Sequence, residues 1–202
     1  QLRSFNSYKE LAYLHPKYFK PQPDVLRKYI KSNEPFFIIR LVSFTAIHDI
    51  NKRGISNIDL KKIIKKLSAF GSVFISSERN LGSEFNHLLL NIDPLDIHQL
   101  LYFATVVISD SGTMTSEAAV LGTPTIFYSD FAGRLRAIDE KQEKYDLIKS
   151  IKPPNINSLF SSLDEMLSIN NLKMIWRKKC RSMYDEKEDF IETQIQFYFC
   201  VV

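Results

Sequence analysis

Four short apolar runs alternate with segments of helical character, and this alternation most limits what the chain can fold into. The runs span residues 36–42, 73–77, 106–109 and 125–128. Each has the length and composition of a buried strand, whereas the segments between them repeat apolar residues at helical spacing. Strands that alternate with helices in this way predict βαβ units and a mostly parallel sheet, which is covered by helices on both faces.

The helical segments are placed by spacing and by end signals. Over 56–70, Ile63 and Leu67 share one face, lysines cover the other, and Gly71 ends the pattern. Further helices are predicted at 25–31 (capped by Asp24), 93–104, 113–121, 156–167, 172–184 and from 189 to the end, with a short strand at 88–90.

These elements predict three parts. We expect a lead-in segment at 1–34, whose prolines favour an extended path, and C-terminal helices at 153–202. Between them, residues 35–152 are predicted to form a Rossmann-like three-layer α/β/α domain with a mostly parallel sheet.

Composition and charge indicate a globular chain and limit the partners that it is expected to have. The chain has 202 residues, 45% of them hydrophobic and 25% charged, which is the balance of a globular protein of one or two domains. Lys and Arg are interleaved with acidic residues, so the net charge of +4 points only weakly to an anionic ligand, and nucleic acid is not an expected partner. No apolar run reaches the roughly 18 residues of a membrane span, and we expect a cytoplasmic protein. The first residue is Gln1, which fits a fragment or a processed product.

One stretch, residues 109–124, carries the chemical information; it reads SDSGTMTSEAAVLGTP. It predicts a strand, a tight turn, a helix and a second turn. Ser111 and Gly112 place small groups and backbone N–H donors at a helix N-terminus, which suits a phosphate or pyrophosphate. Glu117 lies beyond the position that a capping box uses, and is therefore available to a vicinal diol such as a ribose. The alternative is an ordinary turn with a polar N-cap and an acid in the first helical turns.

The same stretch resembles the nucleotide-binding signature of the C-terminal domain in the UDP-N-acetylglucosamine 2-epimerase and GT-B glycosyltransferase superfamily. That signature reads Ser/Thr-Asp-Ser-Gly, then Glu-Ala and Leu-Gly-x-Pro; Thr113 stands here at its second glycine. A thinner likeness over 8–137, with segments at 9–16 and 74–78, is nearest to an uncharacterised epimerase-like branch. The resemblance implies that Ser111, Gly112 and Thr113 contact phosphate and that Glu117 binds the ribose of a nucleotide sugar, UDP-linked, which serves as substrate without a further cofactor.

Other candidate binding residues follow two of the predicted strands. Arg40, Ser43, His48 and Asp49 lie in and after the first strand, where the epimerases have a histidine that helps to bind the nucleotide sugar. The family's His-Arg-Arg-Glu-Asn run is absent, and an ordinary surface histidine is the alternative for His48. Arg134 is a further candidate for a phosphate or a sugar. The four histidines are too scattered to predict a metal site, and the catalytic residues stay unassigned.

The sequence thus predicts the nucleotide-sugar-binding half of a GT-B-like glycosyltransferase or sugar 2-epimerase, with surface polysaccharide synthesis as the expected setting. This chain alone is expected to be inactive, because the resemblance implies a missing N-terminal domain. The rival prediction is a non-catalytic binding or assembly module that kept the fold.

The apolar character of the C-terminal segment predicts that it contacts a partner. Residues 190–202 are apolar on more than one face, and such a helix needs a partner on each face. The sequence predicts contact with the missing N-terminal domain or self-association through this tail. Alternatively, the lead-in aromatics Tyr8, Tyr13 and Tyr18 cover it.

Overall fold

The computed structural model describes residues 5–31, 34–44 and 52–199. Within them, one parallel sheet has the strand order β2-β1-β3-β4-β5. The strands are β1 (Phe36–Leu41), β2 (Ser72–Ser77), β3 (Val106–Ser109), β4 (Thr125–Tyr128) and β5 (Ile148–Ile151). Helices flank the sheet, so the predicted Rossmann-like α/β fold is confirmed.

The helices run from the lead-in to the C-terminus. They are α1 (Leu11–Leu14), α2 (Pro23–Arg27), α3 (Asn57–Leu67), α4 (Ile97–Phe103), α5 (Gly112–Val120), α6 (Arg136–Glu143), α7 (Ile156–Ser168), α8 (Leu172–Glu186) and α9 (Phe190–Phe199), with a 3₁₀ helix at Ser83–Leu88. The central helix is α5, whose residues from Thr115 to Val120 are all buried.

Several local elements differ from the sequence prediction, among them the helix Leu11–Leu14 in the lead-in and the 3₁₀ helix Ser83–Leu88, which were not predicted. Residues 88–90 do not form a strand of their own; Leu89 makes one parallel bridge to Ile75 at the β2 edge. The strand β5 and the helix α6 were not predicted. Their patterns are polar, because β5 is an edge strand and α6 buries only Ile138 and Lys141.

The order of the strands fixes where a ligand site can form. β1 and β3 are neighbours, and from this pair the chain continues to β2 on one side and to β4 and β5 on the other. The carboxyl ends of β1 and β3 therefore form a topological switch point, where the loops diverge and leave a crevice.

The lead-in packs against the C-terminal helices. Asn6 and Ser7 bond to residue Glu188, and Lys17 pairs with Asp189 at 3.0 Å, just before α9 begins. The C-terminal end of α9 is exposed to solvent: Tyr198 is 70% exposed and Phe199 is 78% exposed. The lead-in thus covers the start of this helix, and the predicted partner for the rest stays a prediction.

No helix in the described part of the chain combines the length and the apolar character that crossing a membrane requires.

The start of the sheet supplies a test of the packing. The Ser72 N–H donates to the Pro35 carbonyl at 3.0 Å, and a Cβ on Gly71 would lie 2.0 Å from the same oxygen. We predict that Gly71→Ala lowers the free energy of unfolding by about 1–3 kcal/mol, as overpacked sites do. Urea denaturation measures this change.

The matched control is Gly82→Ala. There the nearest atoms belong to the flexible Glu84 side chain, and the change is expected to stay within about 0.5 kcal/mol. Equal effects of the two substitutions would contradict the packing at Pro35.

Candidate functional site

A cavity of about 530 Å³ lies at the switch point of the sheet. Its walls come from the lead-in, the segment after β1, the β3–α5 turn and the region around α6. The lining residues are Lys9, Glu10, Val42, Ser43, Phe44, Glu78, Asp110, Ser111, Gly112, Thr113, Ser116, Phe131, Leu135, Ala137 and Ile138.

The β3–α5 turn presents free backbone donors to this cavity. The Ser111 N–H donates to Ser109 Oγ at 3.0 Å, and Ser111 Oγ accepts from the Met114 N–H at 3.4 Å as the N-cap of α5. The amides of Gly112 and Thr113, which begin the helix, have no acceptor among the described residues. Unpaired amides at a helix N-terminus attract an anion, so the turn has the geometry of a phosphate site.

Asp110 holds the floor of the cavity together. Its carboxylate accepts from the Val42 N–H at 2.8 Å, from the Ile55 N–H at 3.1 Å and from Arg79 at 3.2 Å. Burial raises the pKa of this carboxyl to about 6, although the backbone donors and Arg79 favour its charged form. A Cβ on Gly54 would lie 2.4 Å from Asp110, so the chain can pass here only without a side chain. Asp110 is therefore a positioning residue.

Sequence reasoning missed two polar groups that border the cavity. Ser116 is 3% exposed and its hydroxyl has no hydrogen-bond partner within the described residues. Glu10 is 4% exposed, no hydrogen bond or ion pair joins its carboxylate to another described residue, and its negative charge partly offsets the burial that lowers the pKa of Lys141. A buried hydroxyl without a partner costs free energy, so Ser116 points to a polar group on a ligand. Ser116 lies inside the signature stretch, but Glu10 sits in the lead-in, where no local signal marks it.

Glu117 lies in a different environment from the one expected. Its carboxylate accepts from the Tyr13 hydroxyl at 2.8 Å and lies 3.3 Å from His98 Nε2, and it is not among the residues that line the cavity. Burial raises the pKa of the Glu117 carboxyl, but the bonds from His98 and Tyr13 outweigh it and leave the pKa below its ordinary value. Its assignment to a ribose stays a prediction, and a ligand would have to displace Tyr13 or His98 to reach it.

The other predicted residues divide between several places. Ser43 borders the cavity with Ser111, Gly112 and Thr113. Arg40 donates to Ser76 Oγ at 2.8 Å and pairs with Glu78, which itself borders the cavity.

Arg134 lies away from this cavity. Arg134 is exposed and lines a separate cavity beside α6. His48 and Asp49 lie outside the described residues.

No group of three or more His, Cys, Asp or Glu side chains in the described ranges is arranged to hold a metal ion.

The fold and the switch-point cavity define a Rossmann-like α/β protein. Residues 3–189 match the family described as Protein of unknown function (DUF354), and the chain belongs to that family. No curated protein matches the chain in sequence.

Solved glycosyltransferases share the fold. CalG4, the calicheamicin glycosyltransferase, superposes with a TM-score of 0.57 at 14% identity, over 91% of this chain and 45% of its own. The spinosyn forosaminyltransferase SpnP gives 0.55 at 15% identity, over 89% and 48%. The glycosyltransferase SnogD from Streptomyces nogalater gives 0.53 at 12% identity, over 98% and 56%. The chain thus spans about half the length of the structures it resembles, and at these identities the likeness shows the fold alone.

The setting of Glu117 yields a stability prediction. Glu117→Ala leaves Tyr13 and His98 without their acceptor, so it should lower the free energy of unfolding by about 1.5–3 kcal/mol at pH 7. Because the folded-state pKa of Glu117 is below its ordinary 4.5, this contribution is present above pH 4.5 and is lost as the pH falls through the folded pKa. Urea denaturation at pH 7, 4.5 and 3 should therefore show that the difference in free energy of unfolding between Glu117→Ala and the unsubstituted protein becomes smaller as the pH falls.

The control is Glu165→Ala, since Glu165 is exposed and has no ion pair with a described residue. A gap for Glu117→Ala that stays small and constant across these pH values would contradict the role of Tyr13 and His98.

Proposed function

We propose that the chain is the nucleotide-sugar-binding half of a GT-B-like glycosyltransferase or sugar 2-epimerase, and that it corresponds to the C-terminal domain of such a protein. The observation that carries this proposal is the pair of free amides at Gly112 and Thr113, which open onto the switch-point cavity. The fold shared with glycosyltransferases supports it.

The diphosphate of the nucleotide is proposed to lie against the start of α5. Two free amides and the positive end of the helix supply hydrogen bonds and charge, as in other phosphate sites. Ser111 keeps the turn closed through its N-cap bond, and its hydroxyl is placed at the same mouth of the cavity. Lys9 borders the cavity as well and adds a cation near the phosphates.

Hydroxyl groups of the nucleoside or sugar are proposed to bind on the lead-in side. Glu10 borders the cavity and offers a carboxylate acceptor, and the buried Ser116 offers a hydroxyl that has no hydrogen-bond partner among the described residues. A ligand diol would give Ser116 its missing partner, which removes the cost of burying that hydroxyl alone, and could donate to Glu10. Glu117 is the alternative acceptor that the signature implies, at the expense of its bond to Tyr13.

The base is proposed to pack on Phe44. This residue borders the cavity and adopts a φ of 54°, a left-handed backbone conformation that is rare for an aromatic residue. Strained residues cluster at ligand sites, and a flat ring gives a stacking surface without selecting one base. UDP is favoured by the family resemblance rather than by this contact.

No catalytic residue is proposed, because the chain spans about half the length of the glycosyltransferases it resembles. The remaining half is proposed to supply the acceptor site. For this reason the chain alone should bind nucleotide without turnover. A non-catalytic binding module remains the second reading, and it predicts no response to nucleotide.

Binding is tested by a matched pair of substitutions at the N-cap. Asp and Asn both cap helices as well as Ser does, so Ser111→Asp and Ser111→Asn should change stability by no more than about 0.5 kcal/mol. Only Asp places a negative charge beside the phosphates. We expect UDP to stabilise the unsubstituted chain by about 2.7 kcal/mol at a hundred times its Kd, and to stabilise Ser111→Asp much less than Ser111→Asn.

Thermal shift with UDP, ADP, GDP and UDP-N-acetylglucosamine supplies the measurement. Equal responses of Ser111→Asp and the unsubstituted chain would place the phosphates elsewhere. No response to any nucleotide would favour the non-catalytic module.

A further inference from the structure

A second cavity, of about 750 Å³, lies at the opposite end of the sheet from the nucleotide cleft. It is formed by the first three turns of α8 and by Thr105, which precedes β3. It therefore faces the amino ends of the strands, and nothing in the proposed nucleotide site uses it.

The charged residues that line this cavity are all basic. Lys173, Arg177, Lys178 and Arg181 border it, and no carboxylate does. None of the four forms an ion pair with any described residue, whereas Lys179 on the same helix pairs with Asp146 at 2.6 Å. Basic side chains without a carboxylate partner around a concave surface concentrate a positive potential there, which attracts an anion.

Two of these cations are held in position by the fold. Lys173 Nζ donates to the Phe103 carbonyl at 2.6 Å, and the Arg177 guanidinium lies 4.3 Å from the centre of the Tyr102 ring. Burial and, to a smaller extent, the nearby charge of Arg177 lower the pKa of Lys173 to about 7, so an anion beside Lys173 would restore its charge. Groups that are already ordered lose little entropy on binding a ligand.

The start of α8 adds backbone donors to the same surface. Asn171 precedes the helix at a φ of 59° and its side chain caps no amide. The amides of Leu172 and Lys173 have no acceptor within the described residues. A 15-residue helix thus points its positive end into the basic cavity.

We propose that this basic cavity binds the phosphate groups of a second ligand, at a site separate from the nucleotide cleft. Guanidinium groups and helix amides together match the geometry of phosphate oxygens. The phosphates could belong to a small phosphorylated molecule or to the headgroups of an anionic lipid surface; both present the same chemistry. The proposal does not depend on the nucleotide site.

The test follows backbone amide resonances of the full chain by NMR. Inorganic pyrophosphate is titrated in one arm, and vesicles of phosphatidylglycerol with phosphatidylcholine are added in the other. Lys178→Gln/Arg181→Gln removes two exposed cations from the cavity. Lys62→Gln/Lys65→Gln removes two exposed, unpaired lysines from α3 and is the matched control. Ser111→Asp blocks the nucleotide cleft, so that the two sites are read separately.

We expect pyrophosphate to shift the amides of Leu172 and Lys173, also in Ser111→Asp, and Lys178→Gln/Arg181→Gln to weaken this binding about tenfold. The control should bind as the unsubstituted chain does. Binding to the anionic vesicles alone, lost in the cavity variant, would assign the phosphates to lipid headgroups. The proposal is overturned if the two double variants lose binding equally, or if Leu172 and Lys173 do not respond in either arm.

Discussion

The buried carboxylate of Asp110 is the interaction on which the site depends. It joins the end of β1 at Val42, the residue Ile55 before α3 and the Arg79 side chain after β2. These segments are far apart in sequence and would otherwise diverge at the switch point. Because one carboxylate binds all of them, the crevice in front of α5 keeps its shape before any ligand enters, which lowers the cost of binding.

The lead-in forms the other wall of that crevice. Tyr13 reaches Glu117 across 104 residues of sequence, and Glu10 reaches the cavity from the same segment. Tyr13 of the lead-in therefore occupies Glu117, the acceptor that the signature implies, and Glu10 of the same segment supplies another acceptor at the cavity. This packing explains how Glu117 can have a structural role in the motif while the adjacent cavity keeps the groups that the proposed nucleotide would contact.

Much of the fold could be predicted because its signals are local. The central strands β1, β3 and β4 are almost wholly buried, and their sequences are short, mostly apolar runs. The turn at Ser111 follows from one cap and one glycine. The polar edge strand β5 carries no such pattern.

The site could be predicted only in part, for the same physical reason. The turn that we propose as a phosphate site is contiguous in sequence, so the stretch around Ser111 predicts its conformation. The partners of Glu117 and the exposure of Glu10 depend on how the lead-in folds back, which no spacing in the sequence encodes. The basic cavity could not be predicted from the sequence, because its shape depends on Thr105 and on the packing of α8.

The measurement that tests the central claim most directly is an amide NMR titration of the unsubstituted chain with UDP. The account predicts that Gly112 and Thr113 show the largest shifts, with smaller changes at Glu10 and Ser116 around the same cavity. Shifts confined to other surfaces, or no shift at Gly112 and Thr113 under saturating UDP, would contradict it.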